Sequence, residues 1–187
     1  MEIKDGKGRG YQSGVNADQQ LVVKGIESDD SHFANHQKSD AYAMYFSQAA
    51  ANGAANEVLA YILNSDDKDM VIDELDLVIT VANTVYLSKV TGTAGGTPTA
   101  VAPTNLNLGS GKTATGTFYK DDSMSGLTDA GRLLNLYLAA NVGKEFTTGK
   151  AKIILPKNSA VALFVTTQQV QTLSGVIRFH YEEQAEY

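Results

Sequence analysis

The feature that most constrains this chain is a period of two that recurs through its second half. In "AKIILPKNSAVALFVTT" the residues Val161, Leu163 and Val165 fall at alternate positions after a turn at Pro156–Lys157–Asn158–Ser159. In "GVIRFHYEE" Ile177, Phe179 and Tyr181 face one way, and Arg178, His180 and Glu182 face the other. Side chains at i and i+2 share a face only on a strand, so these segments read as β.

The pattern extends back to Asp40. "AYAMYFSQ" sets Tyr42, Met44 and Phe46 against Ala43, Tyr45 and Ser47. "EVLAYILN" is apolar on both faces, as a central and well-covered strand would be. "SDDKD" is a turn, and "MVIDELDLVITV" then puts Leu75, Leu77, Ile79 and Val81 on one face. Ile72 is out of phase with that set, which predicts a bulge near Asp73–Glu74. "TVYLSKV" and "TGTFYK" are further strands. "SGLTDAGRLLNLYLAANVG" fits a helix through Leu133, Leu134, Tyr137 and Leu138, or a strand through Leu134, Leu136 and Leu138; the pattern leaves both open.

Eight or nine short strands separated by turns predict an all-β fold, an antiparallel β-sandwich or jelly roll, over residues 41–187. A chain of 187 residues is long enough for one such core. A long Gly/Thr/Ala/Pro stretch at 91–114 reads as a loop with a functional or intermolecular role. Residues 1–40 are polar and glycine-rich, with one apolar cluster, "LVVKGI". They read as an extended N-terminal arm whose anchoring side chains are Tyr11, Leu21, Val23, Ile26 and Phe33, ordered against a neighbouring subunit.

Composition excludes several classes. Without cysteine there is no disulfide framework and no thiolate metal site. A net charge of −6 disfavours nucleic acid as a partner. The N-terminus lacks the apolar core of a secretory signal, and no run is long enough to span a membrane. The expectation is a soluble chain made in the cytoplasm of the producing cell, with no membrane partner.

"NLNLGSGKTATGTF" contains the end of a phosphate-binding loop, Gly111-Lys112-Thr113, but Leu106 stands where that motif needs glycine. The β-forming "ATGTFYK" that follows offers no helix N-terminus to face a phosphate. The stretch reads instead as a structural turn, with Lys112 solvated or paired to an acidic neighbour and Leu106 anchoring the loop. His32 and His36 have zinc-like spacing but no third ligand, and His180 falls on the outward face of the last strand, as a surface or interface residue. Acidic clusters at Asp29–Asp30, Asp66–Asp67–Asp69 and Asp121–Asp122 lie in predicted turns, where aspartate is common; Asp66–Asp69 is the nearest to a weak cation site. No cysteine or serine-elbow nucleophile is present. No enzyme, cofactor, metal or catalytic residue is expected.

The segments "DGKGRGYQSGVNADQQLVVKGI", "SHFANHQKSDAYAMYF", "VAPTNLNLGSGKTATGTF", "IILPKNSAVALFVTT" and "GVIRFHYEE" together resemble a group of tailed-bacteriophage virion proteins. The resemblance implies a β-sandwich or jelly-roll structural component, foremost a capsid decoration or cement protein bound to the major capsid protein. It also implies a virion location and a cyclic homo-oligomer, with a trimer favoured. A tail, collar or baseplate component, and a carbohydrate-binding β-sandwich using exposed tyrosines, are the alternatives. Interface residues expected on this reading are Tyr11, Leu21, Val23, Ile26, Phe33 and Leu106.

Overall fold

A computed structural model describes residues 12–15, 21–24, 34–50, 56–148, 152–167 and 169–183. The first described elements are an antiparallel pair, β1 (Gln12–Val15) and β2 (Leu21–Lys24). A single π-helical turn at Ala34–Lys38 follows. Then come β3 (Ala41–Ala50), β4 (Glu57–Asn64), β5 (Asp69–Ile79), β6 (Asn83–Gly95), β7 (Thr99–Ala100) and β8 (Thr104–Asn105). The last six are β9 (Gly116–Lys120), β10 (Ser125–Leu138), β11 (Lys144–Thr147), β12 (Ile153–Leu155), β13 (Ala160–Val165) and β14 (Gln171–Glu182).

From β3 onward the strands form two 6-stranded sheets. The back sheet has the order β10-β6-β13-β4-β9-β7; the front sheet has the order β11-β5-β14-β3-β8, with β12 also on β5. Every ladder is antiparallel. The fold is an all-β antiparallel sandwich, as the alternating pattern predicts.

The alternation also predicts which side chains fill the sandwich. Met44, Phe46, Leu75, Leu77, Ile79, Ile177 and Phe179 from the front sheet meet Leu59, Ile62, Val85, Leu87, Leu163 and Val165 from the back. Burial of such side chains, each worth about 1.5–3 kcal/mol, is the main favourable term holding the sheets together. The double-sided apolarity of "EVLAYILN" has a separate cause. Val58 and Tyr61 turn away from the core into a second cluster with Tyr86, Ala162 and Phe164, covered by Tyr119, Met124 and Leu127. The back sheet is therefore packed on both faces.

The expected bulge is present. Arg178 pairs with Glu74 and Phe179 with Ile72, leaving Asp73 unmatched. β11 pairs with β5 on one side of Asp73 and β12 on the other. Thr148 spans the gap: its N–H donates to Asp73 O at 2.9 Å and its hydroxyl to Ile72 O at 3.0 Å. Val81 does not share the strand of Leu75, Leu77 and Ile79, because β5 stops at Ile79 and Val81 sits in the bend beyond.

Two further readings change. The segment 125–138, open between helix and strand, is the strand β10. Gly131 has φ +144°, a backbone that a helix does not contain. The expected loop at 91–114 is broken up: residues 91–95 continue β6, and β7 and β8 lie within the rest. Strands of two residues are too short to show a period, so β7 and β8 are strands that pattern alone does not predict.

Candidate functional site

The most organised surface feature is the segment the sequence singles out, Asn105–Thr113. Asparagine side chains tie it down. Asn105 Nδ2 donates to Ser39 O at 2.8 Å, while its Oδ1 accepts from Asn107 N at 2.8 Å. Asn107 Nδ2 donates to Ser39 Oγ at 2.8 Å, and Ser110 N to Asn107 O at 2.8 Å. Such side-chain caps substitute for the backbone pairing that a loop lacks.

Lys112 completes the attachment. Its ammonium donates to Lys38 O at 2.6 Å and to Asp40 Oδ1 at 2.9 Å, and Lys68 donates to Asp40 Oδ2 at 2.8 Å. The Asp40 side chain is only 7% exposed. Burial pushes its pKa up, but the hydrogen bonds and charges of Lys68 and Lys112 outweigh burial and hold it below the usual carboxylate range. Lys112 is thus paired to an acidic neighbour, one of the two states its sequence context allows. β9, not a helix, follows the Gly-Lys-Thr triplet.

Beside this node lies a recess of about 310 Å³ lined by Asp40, Tyr42, Lys68, Lys112, Thr115 and Tyr181. Both lysines that reach into it are already engaged by Asp40. Tyr181 donates its hydroxyl to Thr115 O at 2.7 Å, and burial raises its pKa strongly. A phenol held neutral and already donating is not poised as a base.

The pinned loop offers apolar side chains outward beside its polar ones. Leu108 is 87% exposed and Leu106 40% exposed. Leu106 is held by its backbone N–H, which donates to Ala41 O at 2.9 Å, and its side chain is partly covered. The anchor sits one residue earlier, at buried Asn105. An asparagine alternating with leucines in "NLNL" was the available signal.

His180, expected as a surface or interface residue, is not on the free surface of the chain: it is 0% exposed. It does face away from the core, but the bulged Asp73 and the strand end cover it. Its Nδ1 is 2.7 Å from Asp73 Oδ2 and its Nε2 is 2.8 Å from Glu182 Oε1. Two carboxylates on two ring nitrogens favour the doubly protonated ring, in which each nitrogen donates to an acceptor oxygen. Burial pushes its pKa down, but the hydrogen bonds and charges of Asp73 and Glu182 outweigh burial and raise it.

Among the described residues, Glu74, Asp76 and Glu145 bring carboxylate oxygens within 4.8 Å of one another. Arg178 lies between them, paired to Glu74 and, at 2.7 Å, to Asp76. The turn aspartates behave as turn residues. Asp66 Oδ1 accepts from Lys68 N, Asp67 pairs with Lys157, and Asp121 Oδ1 accepts from Ser123 N and Oγ. Tyr11, Ile26, His32, Phe33 and Asp29–Asp30 lie outside the described residues. Leu21 and Val23 are in β2, and His36 is in the π-turn, with their side chains outside the description.

No helix among the described residues is long and apolar enough to cross a membrane. Neither a family model, nor a curated protein, nor a solved structure matches the chain.

Proposed function

We propose that this chain is a structural protein of a tailed-bacteriophage virion, a decoration or cement protein that binds the shell of major capsid protein and steadies it. The observation that carries this reading is the pinned loop. Its asparagines, Ser39 and Asp40 hold the backbone while Leu108 stands in water and Leu106 is partly exposed beside it. A loop ordered before contact loses little conformational entropy on docking, so the apolar area of two leucines goes mainly into affinity.

The resemblance in the sequence supplies the particle, and the sandwich supplies a rigid body suited to coat it. On a shell the same weak contact repeats many times, and linked copies add avidity to each. The N-terminal residues Tyr11, Leu21, Val23, Ile26 and Phe33 serve in this reading as a second set of contacts. The chain self-associates and resides on the virion.

Co-sedimentation with shells assembled from the major capsid protein of the same phage tests the reading. The native chain pellets with shells, and Leu108→Asp lowers its affinity by about tenfold or more, as loss of a buried anchor does. Binding that ignores Leu106→Asp and Leu108→Asp together removes the loop from the interface. Failure of the native chain to bind any shell removes the decoration role.

A further inference from the structure

β10 is the edge of the back sheet and runs for 14 residues. The other sheet edges are short: β7 and β8 have 2 residues each, and β11 has 4. Short edge strands, charges, prolines and bulges are the usual protection against strand addition. β10 has bulges between Ser125 and Leu127, between Asp129 and Gly131, and between Arg132 and Leu134. Beyond them the protection stops. Leu134–Leu138 pairs residue for residue with Leu87–Asn83 of β6, and this window, "LNLYL", contains no charge and no proline.

The side chains divide cleanly. Leu134, Leu136 and Leu138 pack on the core. Asn135 and Tyr137 take the opposite face, and Tyr137 is 64% exposed. The backbone divides as well. Lys144, on the other sheet, reaches the Tyr137 carbonyl with its Nζ at 3.4 Å, so that carbonyl points away from β6. In an antiparallel ladder a residue's N–H and C=O point to the same side, and residues two apart share that side. The N–H and C=O of both Asn135 and Tyr137 therefore face outward.

We infer that this window is a self-association edge, in which β10 of two copies pairs antiparallel about a two-fold axis at Leu136. In that register Asn135 of one copy and Tyr137 of the other exchange N–H···O=C bonds, and the symmetry repeats the exchange. Two back sheets become one continuous sheet. An isologous contact needs a patch complementary to itself, and a strand running antiparallel to its own copy meets that condition. The exposed Leu133 and Val142 flank the window and lose water in the same contact. Lys144 gives up one long, exposed hydrogen bond, at small cost.

This pairing is two-fold, in place of the trimer expected from sequence. It gives the proposed shell protein its self-contact, and so rests on that reading for its purpose. It is measured on the free chain without any shell, so the two ideas fail separately. Sedimentation equilibrium of the full chain shows a monomer–dimer equilibrium that shifts with concentration. Asn135→Pro deletes one outward N–H in each copy, leaves the β6 ladder untouched, and weakens the dimer by about tenfold or more. Tyr137→Lys leaves the backbone intact, places a solvated charge in the window and weakens the dimer similarly, with an unchanged melting temperature at dilutions where both chains are monomeric. It decides the matter if Asn135→Pro does not fold. A chain that stays monomeric at every concentration, a trimer, or a dimer indifferent to Tyr137→Lys overturns the proposal.

Discussion

Lys112 meets the Asp40 carboxylate at 2.9 Å, and this contact ties the exposed leucine loop to the start of β3. Asp40 is the hub because Lys68 holds its other oxygen. Asp40→Asn therefore destabilises the fold by about 2 kcal/mol, since an amide leaves one ammonium facing an N–H donor. Lys112→Ala costs less, about 0.5 kcal/mol, because the lysine is half exposed and its ion pair is screened. Because the folded pKa of Asp40 lies below its unfolded value, its contribution is present above pH ~4 and disappears as pH falls through the folded pKa. Urea unfolding at pH 7 and pH 3 checks both points, with the native and Asp40→Asn curves converging in acid.

His180 makes the opposite pH prediction. Its folded pKa lies above the unfolded value of about 6.5, so its contribution is complete below that pH and is lost as pH rises through the folded value. The groups facing it are Asp73 from β5 and Glu182 from β14, the latter also 3.4 Å from Lys152. His180→Gln takes the imidazolium from Asp73 and leaves Glu182 with Lys152 alone, and costs about 2–3 kcal/mol near pH 6. Melting temperatures measured from pH 6 to pH 10 show the gap to the native protein narrowing. A gap that stays constant assigns His180 to packing alone.

Gly175 fixes the spacing of β14 and β5. A Cβ there meets Asp76 O at 2.4 Å and Leu77 Cδ2 at 2.7 Å, and one of these is backbone that cannot turn aside. Gly175→Ala therefore costs about 2–3 kcal/mol by forcing the ladder apart. Calorimetry reads the loss directly, and a neutral substitution shows that the two strands can separate freely.

Phe179 links the two sheets. Its ring stacks on Phe118 of the back sheet at 5.4 Å and on Tyr42 of the front sheet at 5.6 Å. Phe179→Ala leaves a cavity at a site with no exposure and costs about 4 kcal/mol. Phe179→Leu retains most of the volume and costs less than half of that. The ratio of the two, from denaturant midpoints, separates cavity formation from loss of stacking.

Period-two alternation made the sandwich legible, because burial on one face repeats at every second residue of Tyr42–Phe46, Leu75–Ile79 and Ile177–Tyr181. The Asp73 bulge was legible for the same reason, as a break in phase. β7 and β8 were not, since two residues have no period. His180 was misread because alternation reports which face a side chain takes, not what covers that face. Its cover comes from Asp73, distant in sequence and turned by the bulge. In the loop, the pairing of Lys112 with an acid could be anticipated from a lysine following glycines. The partner could not, because Asp40 is brought there by the ladder between β3 and β8, far apart in sequence.

The most direct measurement is a cryo-electron microscopy map of the intact particle with this chain located in it. The proposed role predicts density for the sandwich on the outer shell, with Leu106 and Leu108 buried against the major capsid protein. A particle lacking the chain, or one in which that loop faces solvent on every copy, contradicts it.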